Sequence, residues 1–156
     1  MTADDCNHQH MYEFMDVVLP YIPDDIQTIH EYGCRTGAGT KLLRRMGYDA
    51  KGYDRNIQMW TEAIYAQIED PVEDADMIIA LQVFESGQVG KNIRDTINKI
   101  LSRCKYLGIS VHTKVSQLQQ LGPDIFGDNL LLHRHVEFPC YLDKHEFYLV
   151  KGTYED

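Results

Sequence analysis

Hydrophobic and polar positions along the chain follow two periods, and the order in which those periods alternate sketches a fold. Met11, Phe14, Met15, Val18 and Leu19 recur at helical spacing until Pro20 and Pro23 end the pattern, which predicts an opening amphipathic helix. Ile26 to Tyr32 is a strand candidate whose alternation is too poor to decide the matter alone. The glycine-rich run Gly33 to Gly39 leads into Thr40 to Met46, where Leu42, Leu43 and Met46 share a helical face and Gly47 is placed to end it. Tyr48 to Tyr53 predicts a short strand. Asn56 to about Ala66 predicts a helix capped by Asn56, with Ile57, Trp60 and Ile64 on one face. Beyond an acidic loop, Asp70 to Asp76, the unbroken run Met77-Ile78-Ile79-Ala80-Leu81 has the length and composition of a central parallel strand buried on both faces. Ile93, Ile97, Ile100, Leu101 and Cys104 mark another amphipathic helix. Tyr106 to Val111 reads as a strand and Val115 to Leu121 as a short helix stopped by Gly122-Pro123. Leu130 to Val136 and Phe147 to Val150 are two strands with no helix between them, hence a closing antiparallel pair.

Strands alternating with helices predict an α/β fold: a mostly parallel, twisted sheet with helices on both faces, joined by right-handed connections. Such sheets bind ligands at the carboxyl ends of their strands. The expected organisation is one domain over residues 1–156, with residues 1–25 as an opening helix and lid candidate and residues 26–156 as the sheet core. Composition fits this picture, because 156 residues with 44% apolar and 25% charged positions can bury a core without disulfides or a structural metal. The four cysteines, Cys6, Cys34, Cys104 and Cys140, are widely spaced and contain no CxxC pair, which suggests a reducing, cytoplasmic setting. The polar start from Met1 to Asn7 is unlike a secretory signal, and no window approaches the roughly 20 apolar residues needed to span a bilayer. A net charge of -9 opposes close approach to phosphate backbones and anionic membranes, so neither nucleic acid nor membrane is an expected partner.

Chemistry is concentrated in Glu31-Tyr32-Gly33-Cys34-Arg35-Thr36-Gly37-Ala38-Gly39, between the first strand and a helix. Glycines there let the backbone turn sharply and approach a ligand, and free amides at the helix start favour a carboxylate or phosphate. Asp54, at the end of the second strand, is placed to accept hydrogen bonds from ribose hydroxyls. Arg35 occupies the second glycine of GxGxxG, and no glycine immediately precedes Lys41, so neither a dinucleotide fingerprint nor a Walker loop is present. A plain tight turn in another doubly wound fold is the bland alternative.

The stretch from Glu31 to Thr40, then Gly52-Tyr53-Asp54, then Asp76-Met77-Ile78-Ile79-Ala80, resembles class I S-adenosylmethionine-dependent methyltransferases with their Rossmann-like fold. The resemblance covers roughly the first half of the chain, and the closing strand pair agrees with that family's sheet. It implies S-adenosylmethionine as cofactor, with Glu31, Gly33, Cys34 and Gly37 around its methionine part, Asp54 on the ribose and Arg55 near the adenine. Gln67 and Ile68 stand where the family contacts the adenine, Gln67 replacing the usual acid with an amide oxygen that still accepts a hydrogen bond. Leu81 and Gln82 would face cofactor or acceptor. Arg35 replaces the family's middle glycine; either the loop opens slightly or the guanidinium meets the cofactor carboxylate. The short interval between Asp54 and Gln67 implies that the third strand or its helix is short or missing.

Methyl transfer from a sulfonium needs a base only when the acceptor must lose a proton. Glu85 and His112, each following a strand, are the catalytic candidates, with ordinary surface roles as the alternative. His8/His10 and His133/His135 each pair two imidazoles at strand spacing without a third ligand at motif spacing, so no metal is expected. Pro139-Cys140 reads as a turn, and Gln82-Val83-Phe84-Glu85 lacks the pattern of amino-methylating DNA enzymes. The acidic positions Glu69, Asp70, Glu73, Asp74 and Asp76 read most simply as a solvated loop, with a cation or a basic-protein partner as the weaker alternative. Two readings of function lead, ahead of cofactor-consuming hydrolysis or cleavage, for which no dedicated residue is visible. One is a methyltransferase acting on a small-molecule or protein acceptor, with the opening helix and the segment Gly122 to Asn129 as the material for an acceptor lid. The other is a non-catalytic module that shares the fold, has weakened or lost the cofactor, and serves as a homodimer or partner subunit.

Overall fold

A reciprocal cap starts the first helix, α1 (Ala3–Val18): the Asp5 amide donates to Thr2 Oγ1 at 3.1 Å and the Thr2 amide to Asp5 Oδ2 at 3.2 Å. The computed structural model describes residues 2–84, 93–112, 123–138 and 143–156. Within them lie strands β1 (Thr28–Tyr32), β2 (Asp49–Asp54), β3 (Ile64–Tyr65), β4 (Ala75–Leu81), β5 (Cys104–His112), β6 (Leu130–Phe138) and β7 (Asp143–Lys151), with helices α2 (Ala38–Arg45) and α3 (Ile93–Leu101). The strands form one sheet in the order β3-β2-β1-β4-β5-β7-β6. The first five pair in parallel, and β7 is antiparallel to both β5 and β6. The expected α/β class and closing antiparallel pair are present.

Alternation along β4 explains how the two faces are filled. Met77 and Ile79 turn toward Met11, Phe14, Met15 and Val18 of α1 and Leu43 of α2. Ile78 and Ala80 turn toward Ile93, Ile97, Ile100 and Leu101 of α3. The residues of α1 just named are 0 or 1% exposed. The apolar face of the opening helix is therefore core and not lid surface. Ile125 and Phe126, in a 3-10 turn over Pro123–Asn129, are buried as well, Phe126 against Tyr148. That part of the second lid candidate is also packed down. The Val115 to Leu121 helix and the Pro139-Cys140 turn fall outside the described residues.

Three features depart from the sequence expectation. Cys104, read with the helix of Ile93 to Leu101, opens β5 instead, because α3 ends at Leu101. No helix forms after Asp54. Asn56 Oδ1 accepts from the amide of Gln58 at 3.1 Å, closing a local turn in place of a helix cap, and β3 begins by Ile64, which leaves too little chain for a helix. Ile57 and Ile64 are exposed while Trp60 is buried, so the three do not share a face. Asp76 is also more than part of a solvated loop. Its Oδ2 accepts from the amides of Gln27 and Thr28 at 2.8 and 3.1 Å, and its amide donates to Thr28 Oγ1 at 2.8 Å, tying the start of β4 to the start of β1. Cys6, Cys34 and Cys104 are free thiols. No helix among the described residues is long and apolar enough to cross a membrane.

The Phe14 ring meets Phe147 edge-on with centroids 5.2 Å apart and lies where a Cβ on Gly108 would come within 2.5 Å of its Cζ. Phe14→Ala should therefore leave a cavity at the α1–sheet contact and cost about 3–5 kcal/mol, read as a lowered midpoint in chemical denaturation.

Candidate functional site at the carboxyl ends of the strands

Beyond β1 the chain makes three left-handed turns in quick succession, at Gly33 (φ +76°), Arg35 (φ +51°) and Gly37 (φ +81°). Glycine accepts this backbone freely, whereas Arg35 bears a steric cost. The loop is held by its own amides. Gly33 and Cys34 donate to the Tyr53 carbonyl at 2.7 and 3.1 Å, and Arg35 donates to Asp54 Oδ2 at 2.8 Å. The amide of Asn56 donates to Asp54 Oδ1 at 2.8 Å. Asp54 thus stands at the end of β2 with one bond on each oxygen and lone pairs to spare. Gly37 gives α2 no side-chain cap, so the first-turn amides of that helix are presented at the loop.

Glu31 ends up 6% exposed, on the sheet face beneath α2, where Thr40 Oγ1 donates to its Oε1 at 2.7 Å. Burial pushes its carboxyl up to about 7, a rise that the Thr40 bond and the Arg35 charge only partly offset. Cys34 is buried, and burial together with the Glu31 and Asp54 charges raises its thiol to about 12, which leaves it protonated and non-nucleophilic at neutral pH. Arg55 is exposed beyond Asp54. Gln67 bridges to Asp70 in the turn after β3 and its amide donates to the Tyr65 hydroxyl at 3.4 Å, whereas the Ile68 side chain faces the core beside Tyr32 and Tyr53.

A second polar group gathers where β4, β5 and β7 meet α1. Leu81 is buried, and Gln82 takes a left-handed backbone (φ +59°) while its amide donates to the Ser110 carbonyl at 2.7 Å. The Gln82 side-chain nitrogen lies 3.3 Å from His145 Nδ1. His10 Nε2 is 2.7 Å from Ser110 Oγ. The His145 ring centroid is 5.5 Å from that of His10 and 5.4 Å from that of His112. His10, Ser110 and His145 are all buried. Burial, with His145 and Arg35 adding repulsion, pushes His10 down to about 3, so its ring is neutral at physiological pH. His112 is accordingly where the sequence places it, at the end of β5 and half-buried, while Glu85 lies outside the described residues.

Sequence reasoning missed His10, Ser110 and His145. His145 lies in phase with Phe147 and Leu149, and His10 stands four residues before Phe14, so the available signal was a polar residue on an otherwise apolar stripe. His133 and His135 do converge on a third group: His133 Nε2 lies 3.0 Å from Glu146 Oε1 and His135 Nδ1 lies 2.6 Å from Oε2. Glu146 is buried and the pairing is a hydrogen-bonded clamp across β6 and β7. Among the described residues no group of three or more His, Cys, Asp or Glu is arranged to hold a metal ion.

Comparison with solved structures places this sheet among methyltransferase folds. The fold is similar to that of magnesium protoporphyrin IX methyltransferase from Synechocystis with bound S-adenosylmethionine, with a TM-score of 0.68, 16% identity, and coverage of 93% of this chain and 80% of that one. A TehB-like S-adenosylmethionine-dependent methyltransferase from Corynebacterium glutamicum matches with a TM-score of 0.63 and 15% identity over 94% of this chain and 88% of that one. Protein 1320 of Thermoplasma acidophilum matches with a TM-score of 0.68 and 10% identity over 97% of this chain and 98% of that one. No protein-family model matches the sequence, and no curated protein matches it. The chain has the fold of a small class I methyltransferase.

Glu31 and His10 give stability a signed pH dependence. Glu31 holds its proton up to about pH 7 when folded but only to about 4.5 when unfolded, so it weakens the fold as pH rises through that window. His10 stays neutral down to about pH 3 when folded against 6.5 unfolded, so it weakens the fold as pH falls below 6.5. Glu31→Gln, which keeps an acceptor for Thr40, should gain stability relative to the parent on going from pH 4.5 to pH 7.5, by up to about 3 kcal/mol. Denaturation midpoints of both proteins across that range check it, and parallel curves would refute the assignment.

Proposed function

We propose that the chain transfers the methyl group of S-adenosylmethionine to an acceptor, a small molecule or a protein, seated at the carboxyl ends of β4 and β5. The observation that supports this most is the site at the end of β2. Asp54 is fixed there beside a left-handed loop and an uncapped helix start, in a fold shared with a methyltransferase that binds this cofactor. The donor set suits the cofactor's parts. Asp54 retains lone pairs for ribose hydroxyls, and the Arg35 guanidinium, whose charge is felt at both Glu31 and His10, suits a carboxylate. In this reading Glu31, Gly33, Cys34 and Gly37 form the methionine end, Arg55 and Gln67 the adenine end, with Ile68 contributing only its backbone because its side chain is in the core, and Leu81 with Gln82 the side nearest the acceptor. When bound, the cofactor supplies an electrophilic methyl group on a sulfonium.

The protein's part is then positional. Gln82 takes a backbone conformation of the kind that persists where surrounding structure over-determines it, at the strand end between loop and histidines. The neutral His10 ring adds no positive charge beside the site, and His112, at the rim of the same cluster, is the group placed to take a proton from an acceptor that must lose one. Glu85 is proposed alongside it from sequence alone. The reading takes the chain as a single cytoplasmic domain.

Titration calorimetry with S-adenosylmethionine and S-adenosylhomocysteine tests this without knowledge of the acceptor. One-site binding is expected, and Asp54→Ala should lose about 1.5–3 kcal/mol of it, the worth of hydrogen bonds to a charged acceptor. A folded protein that binds neither ligand would overturn the reading in favour of the non-catalytic module. Arg35→Gly separates the two roles of that residue. Removal of the left-handed side chain should leave stability within about 1 kcal/mol of the parent, while affinity for the carboxylate-bearing ligands falls. Unchanged affinity would show that the guanidinium makes no contact with them.

A further inference from the structure

On the sheet face opposite α1 and α2, strand alternation places His30 and Tyr32 of β1 beside Lys51 and Tyr53 of β2. Tyr32 and Tyr53 are register partners on parallel strands, and their rings stack with centroids 4.6 Å apart and planes 8° from parallel. The His30 ring centroid lies 5.1 Å from that of Tyr53. No helix stands between β3 and β4, so the cover over these rings comes from residues 66–74. Ala66 and Ile68 of that segment pack into the same cluster, and the Val72 amide donates to Tyr32 Oη at 3.2 Å.

Two polar atoms under this cover have no partner. His30 is 3% exposed and Tyr53 fully buried, yet neither His30 Nδ1 nor Tyr53 Oη has a protein group within hydrogen-bonding reach. Burying a polar atom without a partner is costly, and two such atoms on neighbouring rings call for one shared group. The surroundings select its chemistry. Burial holds the His30 imidazole below its usual range, so the ring is neutral and Nδ1 either donates or accepts according to tautomer. Burial also keeps both phenols protonated at neutral pH, and Tyr32, whose oxygen accepts from Val72, has its own hydrogen to donate. The two charges felt most at His30, Glu73 and Lys51, act in opposite directions and are paired with each other at 3.0 Å. An uncharged group that both donates and accepts suits such a site, and water is the smallest that does.

We propose that one water molecule is bound internally between His30 Nδ1 and Tyr53 Oη, beneath residues 66–74, with the Tyr32 hydroxyl as its third partner. The proposal is independent of methyl transfer. Tyr53→Phe deletes only the hydroxyl and so reads the site by the sign of its effect. With the water bound, the substitution strips it of a partner, and the unfolding equilibrium constant from urea denaturation should rise about fivefold or more. A dry, unbonded hydroxyl would be removed at no cost, or with a gain. His30→Leu combined with Tyr53→Phe should lose less than the two single variants together, because both atoms hold one water. A high-resolution crystal structure of the parent should show a density peak within hydrogen-bonding distance of both atoms. A neutral or stabilising Tyr53→Phe, losses that add in full, or no such peak overturns the proposal. Should His30→Leu fail to fold, Tyr53→Phe and the crystal structure decide between them.

Discussion

Three amides tie the loop after β1 to the last two residues of β2, and the arrangement of the site depends on that tether. Gly33 and Cys34 donate to the Tyr53 carbonyl and Arg35 donates to the Asp54 carboxylate, so the loop continues the pairing of β1 with β2 beyond the strands themselves. The left-handed conformation of Arg35 costs on the order of 1–2 kcal/mol. A hydrogen bond from its amide to a charged acceptor contributes roughly 1.5–3 kcal/mol, enough to hold the residue there. Asp54 is thereby a latch for the loop that keeps lone pairs for further donors.

The same end of the sheet gathers its costly groups. Glu31, His10, Ser110 and His145 are buried polar side chains in a chain whose other buried positions are mostly apolar. Each desolvated group needs a partner, and those shown have one: Thr40 for Glu31, Ser110 and His10 for each other, Gln82 beside His145. At the opposite end Asp76 serves a plain structural purpose, zipping β1 to β4 through two amides. The buried hydrogen-bonded cluster thus lies at the carboxyl ends of the strands, and the Asp76 stitch at the amino ends.

Strong patterns were legible in the sequence because each had a single physical solution. Met77 to Leu81 admits only a strand buried on both faces, and Ile93, Ile97, Ile100 and Leu101 only a helix packed on one side. The glycine loop and Asp54 were legible because their chemistry is local, depending on spacing along a strand–turn–helix unit. The helix expected after Asp54 was not, since Asn56 reads equally as a helix cap and as the start of a turn, and the choice fell to the early pairing of β3 with β2. The histidine cluster was illegible for a different reason. His10, Ser110 and His145 come from α1, β5 and β7, and only the sheet order brings them together.

Loss of that one helix has a structural remedy that also bears on the site. The Trp60 indole packs against both Gly37 and Gly52, so closely that a Cβ on either glycine would fall within 2.6 Å of the ring. Lys41 and Arg44 of α2 sit 5.7 and 5.4 Å from it, in reach of a cation–π contact. One aromatic side chain therefore covers ground that a helical turn would otherwise fill, and it braces the glycine that begins α2. Because that same glycine fixes where the first amides of α2 point, the shortened unit need not loosen the start of α2. Its cost falls instead on the outer edge, where β3 and its flanks keep their apolar side chains in water. Economy of chain thus separates the two regions, a braced loop at the strand ends and an uncovered edge beside it.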